Sequence, residues 1–168
     1  QVFESTRGMR VGDEAEFEGH MLEVTLGPGM LSRNYDGLQN DLDKMEGVFL
    51  RRGEYTFPLD NAKLWDFKPL AKVGDKVTAG GWLGEVDENF QPHKIMVPFT
   101  FKGEYTVKSL KEAGQYTIGE VIAVLTDETG KDVEVTMIQR WPVKRAITCY
   151  KEKPRPYKLL ETGVRTID

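Results

Sequence analysis

The sequence predicts a mainly β protein. Three observations carry that prediction. From Leu64 onward, apolar and polar residues alternate instead of recurring at helical spacing. Glycine, present 17 times, and proline, present eight times, interrupt the chain at short intervals. The second half contains no long amphipathic helical pattern. With 168 residues, the chain has the length of one ordinary domain or two small ones. A formal charge of −4 argues against nucleic acid as a partner by bulk attraction. No stretch approaches the roughly 20 apolar residues of a membrane helix. One cysteine, Cys149, excludes an internal disulfide framework, and two histidines, His20 and His93, leave little for a histidine-rich metal site.

In chain order, Arg10-Val11-Gly12-Asp13-Glu14 reads as a turn. Residues 15–26 end in alternation, with Leu22, Val24 and Leu26 on one face of a strand and Glu23 and Thr25 on the other. Gly27-Pro28-Gly29 stops that strand, because proline cannot donate to a ladder and glycine permits dihedrals closed to other residues. Met30, Leu31, Tyr35, Leu38, Leu42 and Met45 then fall near helical spacing, broken at Asp36-Gly37. One or two short helical turns are expected between residues 29 and 46, and a short strand at 49–53.

Val97, Phe99 and Phe101 alternate with Pro98, Thr100 and Lys102, and Tyr105 and Val107 continue the pattern after Gly103. Val121–Leu125 is a buried run. Asp127-Glu128-Thr129-Gly130-Lys131 supplies turn chemistry before Val133, Val135 and Met137, so a hairpin is expected here. Residues 139–168 carry a net charge of +5 against −9 for residues 1–138. With Pro142, Pro154 and Pro156, this basic stretch is expected to be extended, either lying over another surface or solvated as a linker.

The most informative segment is Val73-Gly74-Asp75-Lys76-Val77-Thr78-Ala79-Gly80-Gly81-Trp82-Leu83-Gly84-Glu85-Val86. Gly74-Asp75 and Gly80-Gly81 make two tight turns, and the short strands between and after them bury Val77 and Leu83. The pattern is similar to the hammerhead of barrel-sandwich hybrid domains, the fold of biotinyl and lipoyl carriers. A carrier presents a lysine at a hairpin tip. Lys94, in Pro92-His93-Lys94-Ile95-Met96-Val97-Pro98, has flanks unlike either carrier motif, so the architecture is retained and the attached cofactor is not. A stand-alone carrier or small-ligand β module stays open as the alternative.

Six motifs occur in order: Leu26-Gly27-Pro28-Gly29-Met30-Leu31, Tyr35-Asp36-Gly37-Leu38, Leu64-Trp65-Asp66-Phe67, Val73-Gly74-Asp75-Lys76-Val77, His93-Lys94-Ile95-Met96-Val97-Pro98 and Trp141-Pro142-Val143-Lys144. Singly they are weak; in this order the chain resembles the catalytic subunits of V-type (in archaea, A-type) rotary ATPases. Thr162-Gly163-Val164-Arg165-Thr166-Ile167-Asp168 is similar to that family's approach to its nucleotide domain. After Trp141-Pro142-Val143 the sequence departs from the family pattern, which suggests a divergent bacterial branch.

The resemblance implies an organisation. Residues 1–26 would end an N-terminal β-barrel, 27–63 would form a connector with a short helix, 64–138 the bulge insertion, and 139–168 the return toward a nucleotide-binding domain. The chain is thus expected to be a piece of a longer protein. The parent would use ATP and Mg to move protons or sodium ions. It would meet the B-type subunits of the catalytic head, further copies of itself and, through the bulge, the peripheral stalk. It would lie in the cytoplasm at the membrane's edge without inserting. Nucleic acid would not be a partner.

ATP hydrolysis by a P-loop needs G-x-x-x-x-G-K-[ST], and no such segment occurs in these 168 residues. No catalytic, cofactor-binding or metal residue is therefore expected within them, and the fragment alone is not expected to be an enzyme. Residues with chemical potential have plainer readings. His93 is expected to be structural or at the surface. Glu85, Asp87 and Glu88 are expected at a solvated hairpin tip, and Lys94 on an edge or surface. Cys149 lacks a second thiol or cationic turn. Trp65, Phe67 and Trp82 are expected in the core, with Trp82 partly exposed.

Overall fold

A computed structural model describes residues 5–17, 19–47, 53–150, 152–159 and 163. Among the described residues, ten strands form three antiparallel sheets. A two-stranded ribbon pairs β1 (Glu23–Leu26) with β10 (Gln139–Pro142). One four-stranded sheet has the order β5 (Gln91–Met96), β4 (Trp82–Glu88), β2 (Leu64–Pro69), β7 (Gly114–Thr117). The other has the order β3 (Lys76–Val77), β6 (Tyr105–Leu110), β8 (Ala123–Thr126), β9 (Asp132–Val135). This is the mainly β, barrel-sandwich architecture that the alternation and the double turn predict.

Two apolar clusters hold the sheets together. Leu83 of β4 packs with Val97, Val107, Ala123, Leu125 and Val135, so the first sheet closes onto the second. Trp65, Phe67, Val86 and Ile95 line the inner face of the first sheet with Ile118, Ile122 and Met137. Leu110 touches both clusters. Each fully buried aliphatic or aromatic side chain contributes about 1.5–3 kcal/mol relative to exposure. Most of these residues have no more than 1% of their surface exposed, so small volume changes here are felt directly.

The 73–86 segment folds as its turns require. Gly74, at φ 92°, sits in a turn closed by Asp75 N–H donating to Lys72 O, and the Asp75 carboxylate accepts from Lys72 N–H at 2.7 Å. At the second turn Gly81 N–H donates to Thr78 O at 2.8 Å. The chain there leaves β3 in one sheet and enters β4 in the other, which puts Leu83 inside and Val77 against the same cluster. Between Trp82 and Gly84 the β4–β5 register shifts by one residue. That bulge points both Leu83 and Gly84 inward. A Cβ on Gly84 would lie 2.2 Å and 2.4 Å from ring atoms of Phe67, so only glycine fits beneath this aromatic.

One expectation holds in its smaller form and another needs correction. Of the one or two short helical turns expected over 29–46, one forms, the 3-10 turn Leu42–Lys44. The positive φ angles of Ser32 and Gln39, and the turn built around Asp36, break any longer helix. The alternation at 97–101 does not continue as a strand: β5 ends at Met96, and Phe101 N–H turns back to Pro98 O. Pro98 has no N–H for a ladder. Phe99 leaves the sheet to meet Trp141 edge-on at 5.7 Å. The 121–137 hairpin forms as β8 and β9, but Met137 passes the strand end into the other cluster. The strand expected at 49–53 and the closing motif 162–168 lie almost wholly outside the described residues.

The Trp-Pro-Val motif closes the ribbon. Trp141 is buried, donates from Nε1 to Arg145 O at 2.8 Å and pairs with Val24 across the ladder. Val143 N–H donates to Leu22 O and extends the pairing one step. Beyond it, the described residues of 143–159 are exposed except Cys149, which reaches back toward Gly80.

Two substitutions test these packing arguments. Gly84→Ala should lower stability by about 1–3 kcal/mol through overpacking against Phe67. Urea denaturation should show a lower midpoint with an unchanged slope. Phe90, at φ 65° and 97% exposed, occupies the second position of the two-residue β4–β5 turn after Asn89 at φ 52°. The left-handed conformation costs about 1–2 kcal/mol, and glycine's extra unfolded-state freedom takes back about 0.4–1 kcal/mol. Phe90→Gly should therefore raise the denaturation midpoint slightly, and a fall would contradict the turn geometry.

Candidate functional site

The densest polar arrangement lies where the tip of the β4–β5 hairpin meets the loop after β1. Glu88 is the last residue of β4, and its period-two relation to Val86 turns it inward. It is 2% exposed. Its Oε1 accepts from Gly29 N–H at 2.7 Å and from Leu31 N–H at 3.0 Å. Its Oε2 lies 2.6 Å from Nδ1 of His93, which pairs with Val86 and so shares its face of the hairpin. Beside it, Asn89 Nδ2 donates to Ser32 Oγ at 3.0 Å. A buried carboxylate is costly unless its lone pairs are satisfied, and hydrogen bonds to a charged group contribute about 1.5–3 kcal/mol each. Glu88 meets that requirement only with the loop in place.

The acidic run thus divides. Asp87 is exposed, as a solvated tip requires. Glu85 is half-buried and paired with Lys94. Glu88 is buried, a correction to the sequence reading. The period-two step from Val86 to Glu88 was the available signal; acidity suggested solvent instead. His93 is half-buried as the partner of Glu88. Lys94 stands mid-strand opposite Glu85, its ammonium 4.9 Å from the Trp82 ring centre. The hairpin tip is Asn89-Phe90, so Lys94 does not occupy the position a carrier lysine needs. Trp65 and Phe67 are buried, and Trp82 is 58% exposed. Outside the sheet, Lys68, Glu85, Val86, Asp87, Phe90 and Pro92 line a shallow hollow of about 110 Å³.

The connector holds a second polar cluster. Asp36 Oδ1 accepts from Leu38 N–H at 2.9 Å and Asn40 N–H at 2.7 Å, and Oδ2 accepts from Asn40 Nδ2 at 2.8 Å. Burial pushes the Asp36 carboxyl up, but these bonds outweigh it and hold the group below the usual aspartate range. Tyr35 donates to Pro58 O at 2.8 Å. Burial, then the Asp41 carboxylate, push its phenol up. Asp41, 1% exposed, lies 3.5 Å from both Arg33 and Lys44. Gln39 donates to Thr25 O and accepts from Thr25 N–H, each at 2.7 Å, so its side chain lines the outer edge of β1.

The glycine-rich turns do not fit ATP and Mg. A phosphate cradle needs backbone N–H groups free to point at the anion. In Gly27-Pro28-Gly29 the proline has no N–H and the Gly29 N–H is given to Glu88. At Gly80-Gly81 both N–H groups go to backbone oxygens, of Val97 and Thr78. Among the described residues, no group of three His, Cys, Asp or Glu side chains is placed to hold a metal ion. No described helix is long and apolar enough to cross a membrane.

The two facing sheets, the hammerhead turn and the inward Leu83 define an all-β barrel-sandwich domain. The barrel-sandwich domain of ATP synthase alpha/beta subunits matches residues 56–144. The chain belongs to that family. Along its whole length it is similar to a V-type ATP synthase alpha chain of Treponema denticola, at 47% identity, with 29% of the relative covered. Its similarity to the V-type ATP synthase alpha chain of Borrelia garinii subsp. bavariensis is also 47%, with 30% covered. For that of Protochlamydia amoebophila the identity is 44%, with 29% covered. The chain therefore spans about three tenths of the length of these relatives, in accord with the resemblance to the catalytic subunits carried by the motif order.

The Asp36 cluster predicts an acid-side loss of stability. A carboxyl held below its ordinary value of 3.8 stabilises the fold above that pH, and the contribution disappears as pH falls through the folded value. Wild type should therefore lose stability relative to Asp36→Asn as pH drops below about 4. Parallel denaturation curves at neutral and acid pH check this; an unchanging difference would refute it.

Proposed function

We propose that this chain is a non-catalytic structural and docking module of the catalytic subunit of V-type rotary ATPases. The parent couples ATP turnover to proton or sodium transport, with ATP and Mg bound outside these residues. The reading is supported by similarity along the whole chain to V-type ATP synthase alpha chains. The observation that carries it is the β1–β10 ribbon. Residues 27–138 lie between two strands that pair with each other, the topology of an insertion that projects from a host without interrupting it.

A rotary motor needs outward surfaces that resist torque. Two packed antiparallel sheets suit that role because cross-strand pairs stiffen them without a ligand. In this reading residues 1–26 end the N-terminal barrel and 139–168 return to the nucleotide-binding core. The B-type subunits and other copies of the catalytic chain are neighbours, the bulge faces the peripheral stalk, and the assembly's soluble head lies in the cytoplasm at the membrane.

Immobilised chain, checked for folding by circular dichroism, should retain purified peripheral-stalk subunits and release them when soluble chain competes. Failure to bind with the fold intact argues against docking through this module. An intact mass that increases on a lysine when a biotin or lipoate ligase is supplied would favour the carrier alternative.

A further inference from the structure

We propose that Glu88 is the catch of a two-state latch that locks the loop 27–32 to the tip of the β4–β5 hairpin. This goes beyond the docking reading and stands without it. Three observations converge on one contact. Glu88 is buried and holds Gly29 and Leu31 by their backbone N–H groups, while His93 holds its other oxygen. Asn89, the next residue, holds Ser32. Ser32 has a left-handed backbone, at φ 62°, although it is not glycine, whereas the left-handed Asn89 and Phe90 are set by the two-residue hairpin turn itself. Strain persists only where the surroundings over-determine it, and at Ser32 it sits on the loop side of this interface.

The chemistry makes the contact all-or-none. If the loop lifts, Oε1 loses both donors together, and an unpaired carboxylate is not stable in an apolar setting. Glu88 must then turn toward water, which also withdraws Oε2 from His93. The released loop can relax Ser32, while the hairpin turn keeps its left-handed pair. The closed arrangement is thus held by one carboxylate against the strain at Ser32, and the open one lacks both. Closed, the latch makes the loop from β1 move with the sandwich; Gly29, against Trp65 and Leu59, transmits the lock to the core.

Amide hydrogen exchange of the 168-residue chain, resolved by NMR, tests the latch. Glu88→Ala should speed exchange at Gly29 and Leu31 by on the order of tenfold or more, while Leu125 in the far sheet changes much less. Glu88→Gln keeps one acceptor oxygen and the side-chain shape. It should give a smaller acceleration at the same two amides, and it decides the matter if the alanine variant does not fold. Equal acceleration at Gly29, Leu31 and Leu125 would mean that the contact opens only with global unfolding and would overturn the latch. So would unchanged exchange at Gly29 and Leu31.

Discussion

A carboxylate with almost no solvent exposure needs partners on every side, and that requirement organises this domain. Glu88 finds two of its partners in a loop more than fifty residues away and the third across the hairpin. The loop cannot wander without stranding the charge, and the hairpin cannot shift register without turning Glu88 to solvent. Its burial therefore sets the direction in which the chain leaves β1. The core beneath the loop, with Trp65 and Leu59 under Gly29, is shaped by the same contact.

Around this point the molecule is built from short strands that change sheet at tight turns. β3 leads into β4 across the Gly80-Gly81 turn, and β7 leads into β8 through Ile118 and Ile122, which plug the seam as the chain crosses. Such crossings give two small sheets a shared interior that neither could enclose alone. The β1–β10 ribbon then gathers the incoming and outgoing chain into one antiparallel pair, sealed by Trp141 on Phe99. The Phe99 N–H donating to Gln139 Oε1 at 2.9 Å ties the ribbon to the sandwich a second time. The Gly29, Gly80 and Gly81 N–H groups are all bonded within the domain.

Much of the fold was legible because strand alternation and turn chemistry are local. Trp65 and Phe67 inward on β2, Leu83 and Val77 around the double-glycine turn, and the β8–β9 hairpin follow from residues within a few positions of one another. The reading fell short where specific side-chain partners override the apolar pattern. Helical spacing at 30–45 was real, but the Asp36 carboxylate takes the backbone and side-chain N–H groups of Asn40 and folds that stretch into a turn. Phe99 and Phe101 alternate like strand residues, yet Trp141 draws Phe99 out of the sheet. The β4 bulge likewise leaves no local trace; it becomes intelligible once Phe67 is seen to occupy the space where a side chain on residue 84 would stand.

Residue type and spacing along the chain were enough to establish the all-β class, the turns, most of the apolar interior and the absence of a phosphate loop from these residues. Three-dimensional packing was needed to establish that Glu88 is buried while Asp87 beside it is exposed, that Gln39 lines the edge of β1, and that β1 and β10 form one ribbon. The physical reason is common to all three. A polar group's fate depends on which donors and acceptors surround it in space, and those partners are brought together by folding across tens of residues.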